Sequence, residues 1–138
     1  KKEGAISGPI LGGNMSVVCS LLGTPYVSMP KDAILFFEDI DERGYSVDRM
    51  LTQLTQVGWF DEAKAVIFGQ FTGGQEADGR QLAPKVIQRF AQSASCPVFS
   101  GLPSGHDDEN RVLPLNTRGW LNPGKNPALR VETGVDGE

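Results

Sequence analysis

Histidine and cysteine are scarce in this chain, and clustered basic charge is missing from it. The single histidine, His106, has no cysteine near it, and no stretch shows the ligand spacing of a zinc site or an EF-hand, so no metal is expected. Cys19 and Cys96 stand far apart without a C-x-x-C pattern, which points to free thiols in a reducing compartment. The 13 Lys and Arg are scattered among 17 Asp and Glu, giving a net charge of −4, and this makes nucleic acid and anionic membranes poor partners. No apolar run approaches the roughly 20 residues that span a bilayer. The opening KKEGAISG has no signal-peptide core, so the chain is expected to be soluble. An initiating methionine is lacking too, which suggests a piece of a longer protein. Nor is there a G-x-S-x-G elbow: none of Ser7, Ser16, Ser20, Ser28 or Ser104 stands at a strand-to-helix turn with an obvious oxyanion hole.

What is present is ordinary apolar content for one globular domain of 138 residues, distributed with clear periodicity. Ala33 to Asp39, AILFFED, opens as an unbroken apolar run without alternation and reads as a strand buried on both faces. It stops at Glu38 and Asp39. A buried parallel strand whose carboxyl end delivers an acidic side chain into a crevice is how an open α/β sheet presents a polar site, although a carboxylate also stands wherever a polar loop begins. Before it, Ala5 to Leu11 fits a short bent strand near an edge, because Gly8 and Pro9 interrupt it. Asn14 caps a helix over Met15 to Leu22, with Gly23 as its stop. Gly12, Gly13 and Asn14 lack the Lys and Ser/Thr of a phosphate loop, so a tight turn or close backbone contact explains the glycines.

After the central strand, Ser46 caps a predicted helix running to about Val57, with Val47, Met50, Leu51 and Leu54 at helical spacing and Gly58 as its end. Arg49 is near enough in the chain to reach back towards Glu38 or Asp39, but a solvated helix face explains it equally well. Ala65 to Phe71 is a second buried strand, Thr72 to Arg80 a glycine-rich surface loop able to move over a site, and Pro84 to Ala91 a further helix. Pro97 to Phe99 open a third strand that leads to His106. In the tail, Val112, Leu113 and Leu115, then Trp120 and Leu121, then Leu129 and Val131, read as shorter antiparallel strands around a turn at Asn122 to Asn126. The expected class is therefore α/β, with a mixed sheet and helices covering one side.

Glu38 and His106 lie 68 positions apart, each on a loop that follows a buried strand. If those strands neighbour one another in a parallel sheet, both side chains emerge at one edge, and a carboxylate orienting an imidazole base follows. Taken alone, a loop histidine is more often just a surface residue.

The ordered segments GPILGGNMSVVCSLLGTPY, ILFFEDI, YSVDRMLTQLTQVGWFDEAKAVIFGQF, CPVFSGLPSGHDDEN and VLPL resemble the C-terminal domain of the L,D-carboxypeptidase family, over nearly the whole chain. That family comprises the murein tetrapeptide carboxypeptidases and the microcin C immunity hydrolases. The resemblance implies a three-layer β/β/α swivelling-type domain with parallel core strands and shorter antiparallel ones. It implies that residues 1–138 are a single C-terminal domain of a serine peptidase with a Ser-His-Glu triad. Glu38 and His106 would be supplied here, and the serine by an N-terminal domain, in a Gly-Tyr-Ser-Asp-like motif, that this chain lacks. Alone, the chain would be inactive. The implied reaction is hydrolysis of an L,D-peptide bond, releasing terminal D-alanine from cytoplasmic muropeptides in peptidoglycan recycling, without a cofactor and in a homodimer. An immunity-type amidase acting on aminoacyl nucleotides, or a non-catalytic binding module on the same scaffold, are the alternatives. The sequence departs from the family at Asn116, where glycine is usual, and in the heavy acidic run Asp107, Asp108, Glu109.

Overall fold

The computed structural model describes residues 4–133; the two ends of the expected single-domain span, 1–3 and 134–138, lie outside the described residues. In chain order the elements are β1 (Ile6–Asn14), α1 (Met15–Leu21), β2 (Ile34–Ile40), α2 (Gly44–Gln56), β3 (Ala65–Thr72), α3 (Ala83–Ser93), β4 (Val98–Ser100), β5 (Arg118–Asn122) and β6 (Ala128–Val131). They build one six-stranded sheet in the order β4-β3-β2-β1-β5-β6. The first four strands are parallel, and β5 and β6 run antiparallel as a hairpin against β1. Three successive βαβ units of one hand lay all their helices on one face.

β2 holds the centre, and its apolar run is buried throughout as its lack of alternation requires. Leu35 and Phe37 face the helices, where they pack with Val47, Leu54 and Phe68 in the main core. Ile34 and Phe36 face the other way into a second cluster with Ile10 and Ile67. That second cluster is closed by Leu121, Leu129 and Val131, so the β5–β6 end of the sheet curls over the face that the helices leave bare. The layers are thus helix, parallel sheet and curled hairpin, which is the expected β/β/α arrangement. Among the described residues no helix is long and apolar enough to cross a membrane.

Three expectations need correction. β1 is an interior strand, not an edge: it pairs with β2 on one side and β5 on the other. Pro9 is tolerated because the Ile10 N–H points towards β5, bonding Thr117 O at 2.9 Å, so the ring nitrogen of Pro9 faces β2, where the parallel ladder only begins at Ile10. Gly12 permits the strand to continue, since a Cβ there would sit 2.0 Å from the Phe36 carbonyl oxygen. Second, Ser46 is not the cap of α2. The helix begins at Gly44, whose missing side chain lets it start against Leu82, and Ser46 is buried in the first turn with its N–H on Arg43 O. Third, Val112 to Leu115 form no strand; they belong to a long irregular segment between β4 and β5.

The remaining sequence-level elements stand with small shifts. Asn14 caps α1, its Oδ1 accepting from the Val17 N–H at 3.0 Å. Gly23 and Gly58 follow their helices with φ of +87° and +79°. Cys19 and Cys96 are both free, and burial pushes the Cys19 thiol up to about 11.

Phe37 is fully buried, with its ring centroid 6.0 Å from that of Trp59 and 6.2 Å from those of Phe60 and Phe68. Phe37→Ala removes the middle of that aromatic group and is expected to cost about 3–5 kcal/mol. Urea unfolding followed by circular dichroism measures it: the midpoint should fall with an unchanged slope.

Candidate functional site

The pleat of β2 separates its two terminal carboxylates. Phe37 points to the helices, so Glu38 must point to the opposite face and Asp39 back to the helix side. Asp39, 2% exposed, is fully engaged there. It accepts from Asn14 Nδ2 at 3.0 Å, from the Ser16 N–H at 2.9 Å and from Ser16 Oγ at 2.8 Å. These bonds pin the end of β2 to the start of α1, so Asp39 is a structural anchor.

Glu38 has a different partner. One of its carboxylate oxygens, Oε2, lies 2.6 Å from His106 Nδ1, with the Glu38 side chain 10% exposed and the imidazole 41% exposed. The two residues predicted from sequence therefore do meet, but not because their strands are neighbours. β3 lies between β2 and β4. The segment after β4 has to cross the carboxyl end of β3 to reach Glu38, and β3 is built to let it pass.

Two features of β3 make the crossing. Register along β2 and β3 runs Phe37↔Phe68 and then Asp39↔Phe71, so Glu38 faces two residues, Gly69 and Gln70, across a bulge. Gly69 has no side chain where one would strike: a Cβ would lie 2.3 Å from the Ser104 carbonyl oxygen. The Gln70 N–H donates to that same oxygen at 3.0 Å, and Gly101 N donates to Phe68 O at 3.1 Å, so the crossing segment is laid on the strand end.

The histidine loop is then clamped from two sides. The Gln70 side chain accepts from the Asp107 N–H at 3.1 Å and donates to Glu109 O at 2.6 Å. The Asn110 side chain accepts from the Gly105 N–H at 3.2 Å and donates to Gly105 O at 2.7 Å, holding the residue before His106 by both its backbone groups. Asp107, part of the acidic run, is taken up by the Thr72 hydroxyl, and Glu109 Oε1 lies 3.4 Å from Arg111. Sequence reasoning missed Gly69, Gln70 and Asn110 as parts of the site. A glycine and a glutamine inside the apolar run AVIFGQF were a signal for a bulge and a close approach; Asn110 carried none.

Further residues singled out in the sequence lie away from this pair. Arg49 does not reach either carboxylate; its Nη2 lies 3.4 Å from Ser46 Oγ. The Thr72 to Arg80 segment is tied down rather than free: Glu76 pairs with Arg43, and a Cβ on Gly74 would meet the Glu42 carbonyl oxygen at 2.2 Å. Among the described residues no three His, Cys, Asp or Glu side chains gather as metal ligands.

Fold and geometry together define a class: a β/β/α domain that presents a carboxylate-oriented imidazole at the carboxyl edge of its parallel strands, with no hydroxyl among the described residues hydrogen-bonded to that imidazole. The model of the LD-carboxypeptidase C-terminal domain matches residues 7–121, and the chain belongs to that family. The Bacillus subtilis protein named "Probable murein peptide carboxypeptidase" is 31% identical over 134 residues, which is 96% of this chain and 42% of the relative. The crystal structure of muramoyltetrapeptide carboxypeptidase from Oxalobacter formigenes superposes with a TM-score of 0.82 at 31% identity, over 92% of this chain and 45% of that one. The microcin C7 self immunity protein, in complex with aspartyl sulfamoyl adenosine, gives a TM-score of 0.79 at 22% identity over 94% of this chain and 39% of its own, a likeness of fold. The chain thus spans 34% to 42% of the length of the curated relatives it matches. Asn116, where the resemblance led to an expectation of glycine, has φ of +59°, a left-handed conformation that glycine adopts freely and asparagine tolerates better than other side chains.

Because His106 is the only histidine, a long-range 1H–15N spectrum reports its imidazole without overlap. With a carboxylate accepting at Nδ1, the neutral ring should carry its proton on Nδ1; Asn110→Ala, which frees Gly105, should weaken that preference. A wild-type ring protonated on Nε2 would contradict the pairing.

Proposed function

We propose that this domain is the histidine-and-glutamate half of a serine L,D-carboxypeptidase, which releases terminal D-alanine from muropeptides in the cytoplasm during peptidoglycan recycling. The observation that carries it is the 2.6 Å contact between Glu38 and His106 Nδ1 at the rim of the sheet. A carboxylate holding Nδ1–H leaves Nε2 as the basic nitrogen, and Glu38 stabilises the imidazolium that forms when that nitrogen takes a proton. The nucleophile is a serine of a preceding domain. His106 takes the serine proton as the oxygen attacks the carbonyl carbon of the scissile bond, then passes it to the departing amine of D-alanine; water enters by the same route and releases the serine. Family membership and the muropeptide names of relatives that match most of this chain support the peptidase reading and its substrate class. A homodimer of the two-domain protein belongs to the same proposal.

In the full-length protein, His106→Ala should lower kcat by at least about a thousandfold and Glu38→Gln by roughly a hundred- to ten-thousandfold. Melting temperatures should stay close to wild type. Release of D-alanine from a murein tetrapeptide is the readout. An aminoacyl sulfamoyl adenosine serves as the competing substrate, and preference for it would assign the amidase reaction instead. Turnover of neither by intact wild-type protein would leave a binding module.

A further inference from the structure

The site contains more than the pair. Beside Glu38 lies a cleft of about 380 Å³ whose wall includes Asn14, Ser104, Asn110, Arg111 and Leu115. Arg111 is the one cation among the described residues lining it. Its position is set by the same clamp that holds the histidine: its N–H donates to Pro103 O at 2.7 Å, and its predecessor Asn110 grips Gly105, the neighbour of His106. The backbone of Arg111 is therefore fixed relative to the imidazole.

Its head group is not committed. The guanidinium touches only Glu109 Oε1, at 3.4 Å, with both side chains more than 70% exposed, so most of its five donors face solvent. Such an exposed pair is weak and readily exchanged for a better partner. The surroundings make a cation necessary for any anionic ligand. Glu38 lines the cleft, and Asp107, Asp108 and Glu109 stand on the same loop, so a carboxylate entering without a counter-charge is repelled. Arginine offers a planar fork that matches a carboxylate with two parallel hydrogen bonds.

Resting on the carboxypeptidase assignment, we propose that Arg111 receives the free α-carboxylate of the substrate's terminal residue and so selects peptides that end at the scissile bond's next residue. It binds; it does not take part in proton transfer. The loop that supplies the base thus also measures the distance from that base to the chain end.

The test uses the full-length protein with a murein tetrapeptide ending in D-alanine and the same peptide amidated at its C-terminus. Wild type should prefer the acid by about 10- to 100-fold in kcat/KM. Arg111→Ala should bring the ratio close to one, mainly through KM on the acid, with kcat little changed. Arg111→Lys, which keeps the charge but loses the fork, should fall between them, and it carries the comparison if the alanine variant melts early. Equal preference for acid and amide by wild type, or an unchanged ratio in both variants, overturns the role of Arg111 while leaving the peptidase assignment intact. Wild type that cleaves neither peptide overturns both.

Discussion

A strand buried on both faces must send successive side chains in opposite directions, and everything at this site follows from applying that constraint to Glu38 and Asp39. Phe36 and Phe37 are locked into separate apolar clusters, so the two acids after them have no freedom to exchange faces. Asp39 is directed to the helix side, where the backbone and side-chain donors at the start of α1 satisfy it. Glu38 is directed to the side where the chain returns after β4, and it meets an imidazole. A one-residue slip would bury Glu38 against helices and give Asp39 to the histidine with a shorter reach.

The histidine arrives by a longer route. An intervening strand normally keeps the ends of β2 and β4 apart, and here the separation is bridged by a bulge, a glycine and a glutamine at the end of β3. Gly69 lowers the height of the strand so that Ser104 can pass over it, and Gln70, the extra residue of the bulge, bonds the passing loop through both its backbone and its side chain. Asn110 closes the loop on itself. Hydrogen bonds to backbone groups restrain position more than they add stability, and such restraint is what an oriented base requires.

In the proposed reaction this pair is half of a catalytic arrangement. The nucleophile of that proposal would come from a further domain; the chain itself spans 34% to 42% of the length of the curated relatives it matches. Placing base and nucleophile on separate bodies would make their distance a matter of domain geometry. Arg111, fixed to the same loop as His106, would in the proposed role place the chain end of the substrate in the frame of the imidazole rather than that of the serine.

Much of this was legible in one dimension. The apolar run of β2, the Asn14 cap, the helices closed by Gly23 and Gly58, and the β5–β6 hairpin all follow from local periodicity and turn chemistry, which depend on residues only a few positions apart. Glu38 and His106 were legible as candidates because each follows a buried strand, and family resemblance named them. The interior place of β1, the early start of α2 against Leu82 and the irregular course of Val112 to Leu115 were not legible, because each is decided by a neighbour distant in the chain. Local pattern by itself determined which residues form strands and helices and which acid and imidazole stand at their ends. Only the tertiary structure decided that the acid and the imidazole meet across an intervening strand, because the bulge, the missing side chain of Gly69 and the grip of Gln70 and Asn110 act between segments whose separation in sequence carries no record of their separation in space.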